Sequence, residues 1–138
     1  MGLNFYQIKS LVNSKKGNLI ADFVLIPSYG NSFVFPYNPI YDYNNNKYTN
    51  CLVLLFIAFE SEDKIYPILF DYWISEIYYE DKDKYLSKTD IFIKAIKYII
   101  EKGLKAENIL LDAGFLNKEV LQQISKIGLN IVIRCPKS

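Results

Sequence analysis

A chain of 138 residues that is 51% hydrophobic is long enough for one domain with its own core and too short for two of ordinary size. Its formal net charge of +1 gives no global basic field, so any binding of nucleic acid has to come from a local patch. The chain has no histidine, which excludes a zinc site of the usual kind and imidazole acid–base catalysis. Its two cysteines, Cys51 and Cys135, are far apart and form no metal-ligand pattern.

In chain order, residues 1–18 read as a short N-terminal helical segment. Leu3, Ile8, Leu11 and Val12 lie roughly on one face, and Lys15-Lys16-Gly17-Asn18 closes it. Leu19 to Ile26 follows as an apolar, branched run, the pattern of a central strand, with Asp22 in its middle. An ionised carboxylate in such a strand is costly unless something pairs with it, and a bound cation is one candidate.

Pro27 to Asn50 carries three prolines and many aromatics. It reads as an ordered loop with short edge strands, its aromatic rings covering the core more readily than stacking on bases. Cys51–Phe59 and Lys64–Phe70 are apolar runs joined by Glu60-Ser61-Glu62-Asp63, an antiparallel hairpin. Tyr66-Pro67 marks a bulge or an edge position in its second strand. Asp71 to Leu86 is a connector, and Glu80, Asp81 and Asp83 in it, like Glu60, Glu62 and Asp63 of the hairpin turn, read as solvated rather than as ligands.

Ser87-Lys88-Thr89-Asp90 opens a helix as a capping box. Phe92, Ala95, Ile96, Ile99 and Ile100 recur at helical spacing, and Gly103 stops it. Asn108 to Leu111 is a short buried strand ending in Asp112-Ala113-Gly114-Phe115. Asn117 caps a second helix striped by Val120, Leu121, Ile124 and Ile127 and stopped by Gly128. Leu129 to Arg134 is a last alternating strand. Gly30 and Gly114 read as relief of backbone strain rather than as a phosphate cradle, and the cysteines as core thiols.

The element order predicts an α/β fold: a mixed five-stranded sheet in the order 3-2-1-4-5, with helices on its faces. Right-handed crossovers bring the fourth strand beside the first. Asp22 and Asp112 then stand side by side near the carboxyl ends of neighbouring parallel strands, where ligand sites of open sheets gather. Two carboxylates so close need a compensating cation. Mg²⁺, which takes one or two carboxylates plus water and phosphate oxygens, suits them and needs no histidine. Taken alone, the residues weigh a shared metal site evenly against two hydrogen-bonded carboxylates. Lys15, Lys16, Arg134 and Lys137 could touch phosphates, although a few surface cations are ordinary.

These residues also carry a resemblance. Leu19-Ile20-Ala21-Asp22, then Ser28-Tyr29-Gly30, Ile65-Tyr66-Pro67-Ile68, Asn108-Ile109-Leu110-Leu111-Asp112-Ala113-Gly114-Phe115 and Ile131-Val132-Ile133-Arg134-Cys135-Pro136-Lys137 resemble the catalytic core of DDE transposases of bacterial and archaeal insertion sequences. The second aspartate block is the most specific part. Phe23 departs from the threonine that usually follows the first aspartate, and Tyr29 from a basic residue.

The resemblance implies an RNase H-like fold over 19–138, with Asp22 and Asp112 as the first two acidic metal ligands of a two-ion Mg²⁺ or Mn²⁺ site. It implies transposon-end DNA as partner, and cleavage and strand transfer as the activity. The family's third acidic residue, a glutamate on a later helix, has no counterpart before Ser138, so a truncated core is expected. A catalytically inactive remnant serving as an interaction or DNA-binding module is the alternative. The open edge after the last strand suggests homodimerisation. Lone cysteines, no leader pattern and no apolar run beyond Cys51–Phe59 point to the cytoplasm and to no membrane partner.

Overall fold

The computed structural model describes residues 17–27, 38–42 and 45–134. The helical pattern over 1–16, the Ser28-Tyr29-Gly30 block and Cys135 onward lie outside the described residues. Six strands and two helices make up the rest: β1 (Asn18–Pro27), β2 (Asn38–Asp42), β3 (Lys47–Ser61), β4 (Lys64–Trp73), α1 (Lys88–Glu101), β5 (Asn108–Asp112), α2 (Lys118–Ile127) and β6 (Asn130–Arg134). Asn18, placed by sequence at the end of the helical segment, is the first residue of β1.

β1 pairs antiparallel with β3 along ten residues and parallel with β5, which pairs parallel with β6. β4 pairs antiparallel with β3, so the principal order is β4-β3-β1-β5-β6, the mixed five-stranded order expected of an RNase H-like sheet. β2 is the additional short strand. Cys51 pairs with Pro27 on one side and with Asn38 on the other, which puts β2 opposite β1. Val53–Glu60 is flanked by β1 and β4. β2 and β4 therefore lie end to end along one edge of β3.

Strand alternation separates the two faces of the sheet. Leu19 and Ala21 of β1, Leu55, Ile57 and Phe59 of β3, and Ile109 and Leu111 of β5 form one core with Phe92, Ile96 and Ile99 of α1 and Val120 and Ile124 of α2. Both helices thus cover the same face. Complete burial of Phe92, Ile96 and Ile99 contributes about 2 kcal/mol apiece. The other face carries Val24, Phe56, Phe70 and Val132, each more than a third exposed.

Local chemistry fixes the ends of the elements. The Ser87 hydroxyl accepts from the Asp90 N–H at 3.1 Å, and the Asp90 carboxylate accepts from the Ser87 N–H at 3.1 Å, a complete capping box. Asn117 accepts from the Val120 N–H at 2.8 Å and starts α2, and Gly128, at φ +93°, ends it in the left-handed conformation. The hairpin between β3 and β4 closes through Glu62 and Asp63, both at positive φ (52° and 64°), the pattern of a two-residue type I′ turn. In β4 the register shifts opposite Ile57/Ala58, so that Ile68 and Leu69 are both buried beside Pro67. Gly17 is needed for close approach rather than as a helix stop, because a Cβ there would run into the Glu60 carbonyl and the Phe59 ring.

Candidate functional site

Parallel pairing of β1 with β5 begins at Asn18 and Asn108, whose side-chain amides are joined by a 2.9 Å hydrogen bond, and runs to Ile20 and Leu110. Two residues further along each strand stand Asp22 and Asp112, level with one another where the pairing ends. The β5–β6 register then sets Arg134 directly beside Asp112. By alternation all three lie on the face away from the helices, at the carboxyl ends of parallel strands.

The two aspartates interact directly. The Asp22 carboxyl is pushed above the usual carboxylate range, first by partial burial and then by the negative charge of Asp112. The Phe23 N–H, hydrogen-bonded to the carboxylate, and the nearby Arg134 guanidinium pull the other way. A hydrogen bond between the two carboxyl groups adds to the upward push on Asp22. Arg134 supplies part of the balancing charge, its Nε lying 4.0 Å from Asp112 Oδ1. This is a charge-deficient site: two acidic groups and one guanidinium, held on three adjacent strands.

A cleft of about 280 Å³ adjoins the pair, lined by Asp22, Phe23, Lys88, Phe92, Asp112 and Phe115 among others. Phe23 stacks on Phe115 with ring centroids 5.2 Å apart, and Phe92 meets Phe115 edge-on at 5.0 Å. Phe23, where the transposase resemblance has threonine, is thus an apolar wall packed on the phenylalanine of the second aspartate block. Lys88 opens α1 with its ammonium 4.7 Å from the Trp73 ring centroid and 5.9 Å from that of Phe23. The Asn117 amide donates to Thr89 Oγ1 at 3.1 Å and ties the starts of the two helices together beside the cleft.

Sequence reasoning singled out Asp22 and Asp112 and named Arg134 only as one of several cations that could touch phosphates; the fold brings the three together. It overlooked Lys88 and the Phe23–Phe115–Phe92 cluster. A lysine in the first turn of a helix opposes the helix dipole, and that was the available signal. Gly114, read as relieving backbone strain, takes no positive φ, and a Cβ there would meet nothing within 4 Å. Cys51 is a buried thiol as expected, and Cys135 falls outside the described residues. Glu62, Asp63, Glu80, Asp81 and Asp83 are exposed, in keeping with solvated turns, but Glu60 is not in the turn: it is half-buried within β3, paired with Asn18 and Ile65, because the turn needs only two residues.

The donor set suits a hard divalent cation, since carboxylate oxygens are what Mg²⁺ and Mn²⁺ prefer. Among the described residues no group of three or more His, Cys, Asp or Glu side chains comes together, so the rest of a coordination sphere would be oxygen from elsewhere. Among the described residues, too, no helix is long and apolar enough to cross a membrane.

No family model matches the chain, and no curated protein matches it. Among solved structures it is similar to a chain of the Drosophila P element transposase strand transfer complex, with a TM-score of 0.37 and 12% identity. The likeness covers 87% of this chain and 26% of the other, so the chain spans about a quarter of that protein's length.

Proposed function

We propose that the chain is a transposase catalytic-core segment of the DDE type found in bacterial and archaeal insertion sequences, acting on the phosphodiester backbone of DNA. The single observation that supports this reading is the meeting of Asp22 and Asp112, ninety positions apart in sequence, as neighbouring carboxylates at the carboxyl ends of parallel strands. The motif resemblance names the same two residues for the same task.

In this reading Asp22 and Asp112 hold a Mg²⁺ or Mn²⁺ ion, with water and DNA oxygens completing its shell. Such an ion, when bound, activates an attacking oxygen and neutralises charge on the leaving one. A second ion would need further oxygen donors from outside the described pair. The two carboxylates fix position and charge, Arg134 balances one of them, and the Phe23–Phe115 wall keeps one side of the site dry. DNA is the partner, and a homodimer would cover the edge of β6 that pairs with no other described strand.

Titration calorimetry and thermal shift with Mn²⁺ and Mg²⁺ test the reading. The wild-type chain should bind one ion and be stabilised, and Asp22→Asn and Asp112→Asn should each lose that response. An unchanged response in both variants would overturn it. A second reading, an inactive core that binds DNA or a protein without cutting, is favoured by the acidic pair's lack of a third acidic partner among the described residues. It predicts no nicking of supercoiled DNA in Mn²⁺, even when a glutamate-bearing C-terminal segment is supplied in trans.

A further inference from the structure

We propose that Arg134 is a phosphate-binding residue of the acidic site, parked on Asp112 until a cation takes that carboxylate. The inference rests on the reading of Asp22 and Asp112 as a cation site on a phosphodiester substrate. It begins with placement: Arg134 is the register partner of Asp112 on the neighbouring parallel strand, so its side chain rises from the same face, one strand spacing away.

The contact between them is weak. It uses Nε alone, at 4.0 Å, with the Arg134 side chain 57% exposed and that of Asp112 51% exposed. A guanidinium serving as a structural clamp would grip the carboxylate in a shorter, two-pronged arrangement. Among the described residues no group engages the terminal nitrogens of the fork, and an exposed ion pair of this kind costs little to give up. A planar fork beside a cation site matches the geometry of a phosphate whose other oxygen meets the cation.

Charge favours the same exchange. With both aspartates ionised, the guanidinium leaves the trio one negative charge in excess. A divalent ion reverses that sign, loosens Arg134 from Asp112 and makes an anion the favoured next partner. Arg134 thereby acts twice: as a stand-in counter-charge before the cation arrives, and as a ligand for substrate afterwards.

Two measurements on wild type, Arg134→Gln, Arg134→Lys and Lys126→Gln separate the possibilities. Lys126, in the last turn of α2, serves as a remote cation control. In Mn²⁺ calorimetry, Arg134→Gln should bind the ion as tightly as wild type or more tightly, because a competing cation is gone. In fluorescence anisotropy with a short fluorescein-labelled DNA duplex, Arg134→Gln should lose on the order of tenfold in affinity, the scale of one charge-assisted bond, and flatten the salt dependence by about one unit of slope. Arg134→Lys should fall between the two, and Lys126→Gln should match wild type.

Equal DNA affinity for wild type and Arg134→Gln, with and without Mn²⁺, would overturn the proposal, as would an equal loss in Lys126→Gln. Absence of Mn²⁺ binding by the wild-type chain would instead remove the cation reading. The anisotropy comparison still decides whether Arg134 contacts phosphate.

Discussion

Asp22 carries an energetic burden that a neutral side chain would not. In the folded chain it keeps its proton to a higher pH than in the unfolded chain, because burial and Asp112 both oppose its charge. Between those two pKa values the native state binds more protons than the unfolded state, so stability falls as pH rises through the window. Asp22→Asn removes that penalty. In EDTA at pH 7 its thermal midpoint should exceed that of wild type, and the gap should close below about pH 3.9, where the unfolded carboxylate is itself protonated. Saturating Mn²⁺ should shrink the gap from the other side by stabilising wild type alone. An Asp22→Asn variant that melts at or below the wild-type temperature at neutral pH would refute the idea that the pair is electrostatically strained. The two aspartates were legible in sequence because a carboxylate in a branched apolar run is conspicuous. Phe23 was not, since its packing on Phe115 joins residues 92 positions apart and no periodicity reports such a contact.

At the scale of elements, short-range chemistry was the readable part. Ser87 with Asp90, Asn117, and the glycines at 103 and 128 mark helix ends through bonds spanning a few residues, and each boundary appears where those residues stand. The hairpin turn was legible in place but not in type. Glu62 and Asp63 both occupy positive φ, which L residues other than Gly, Asn and Asp adopt reluctantly. Replacing Glu62-Asp63 with Asn-Gly should therefore stabilise the chain by about 1 kcal/mol, measured as a shift in the urea midpoint at constant m-value. No gain would mean that contacts of the native turn residues offset their backbone strain. β2 and the first four residues of β3 were less legible, because their strand character depends on pairing with each other. A proline at 39 reads locally as loop.

For the whole molecule, the sheet order followed from connection rules, since a hairpin followed by two right-handed crossovers leaves few alternatives. That both helices would share one face did not follow from those rules alone. The topology predicts a graded rigidity. β3 is bonded along both edges, and β1 between β3 and β5, whereas β6 pairs on one side only among the described residues. Amide hydrogen exchange should show the slowest protons in Val53–Phe59 and in Leu19–Ala21, and the fastest strand protons in β6. Faster exchange in the centre of β3 than in β6 would contradict this arrangement.

The extra residue in β4 bears on how copies of this chain could meet. A kinked strand with a proline lacking its N–H makes a poor template, so that flank of the sheet resists accretion of a foreign strand. The opposite flank has neither safeguard within Asn130–Arg134. A neighbour that zips onto β6 backbone to backbone would therefore arrive next to Arg134, and crowding there would be felt at once by the carboxylates it attends.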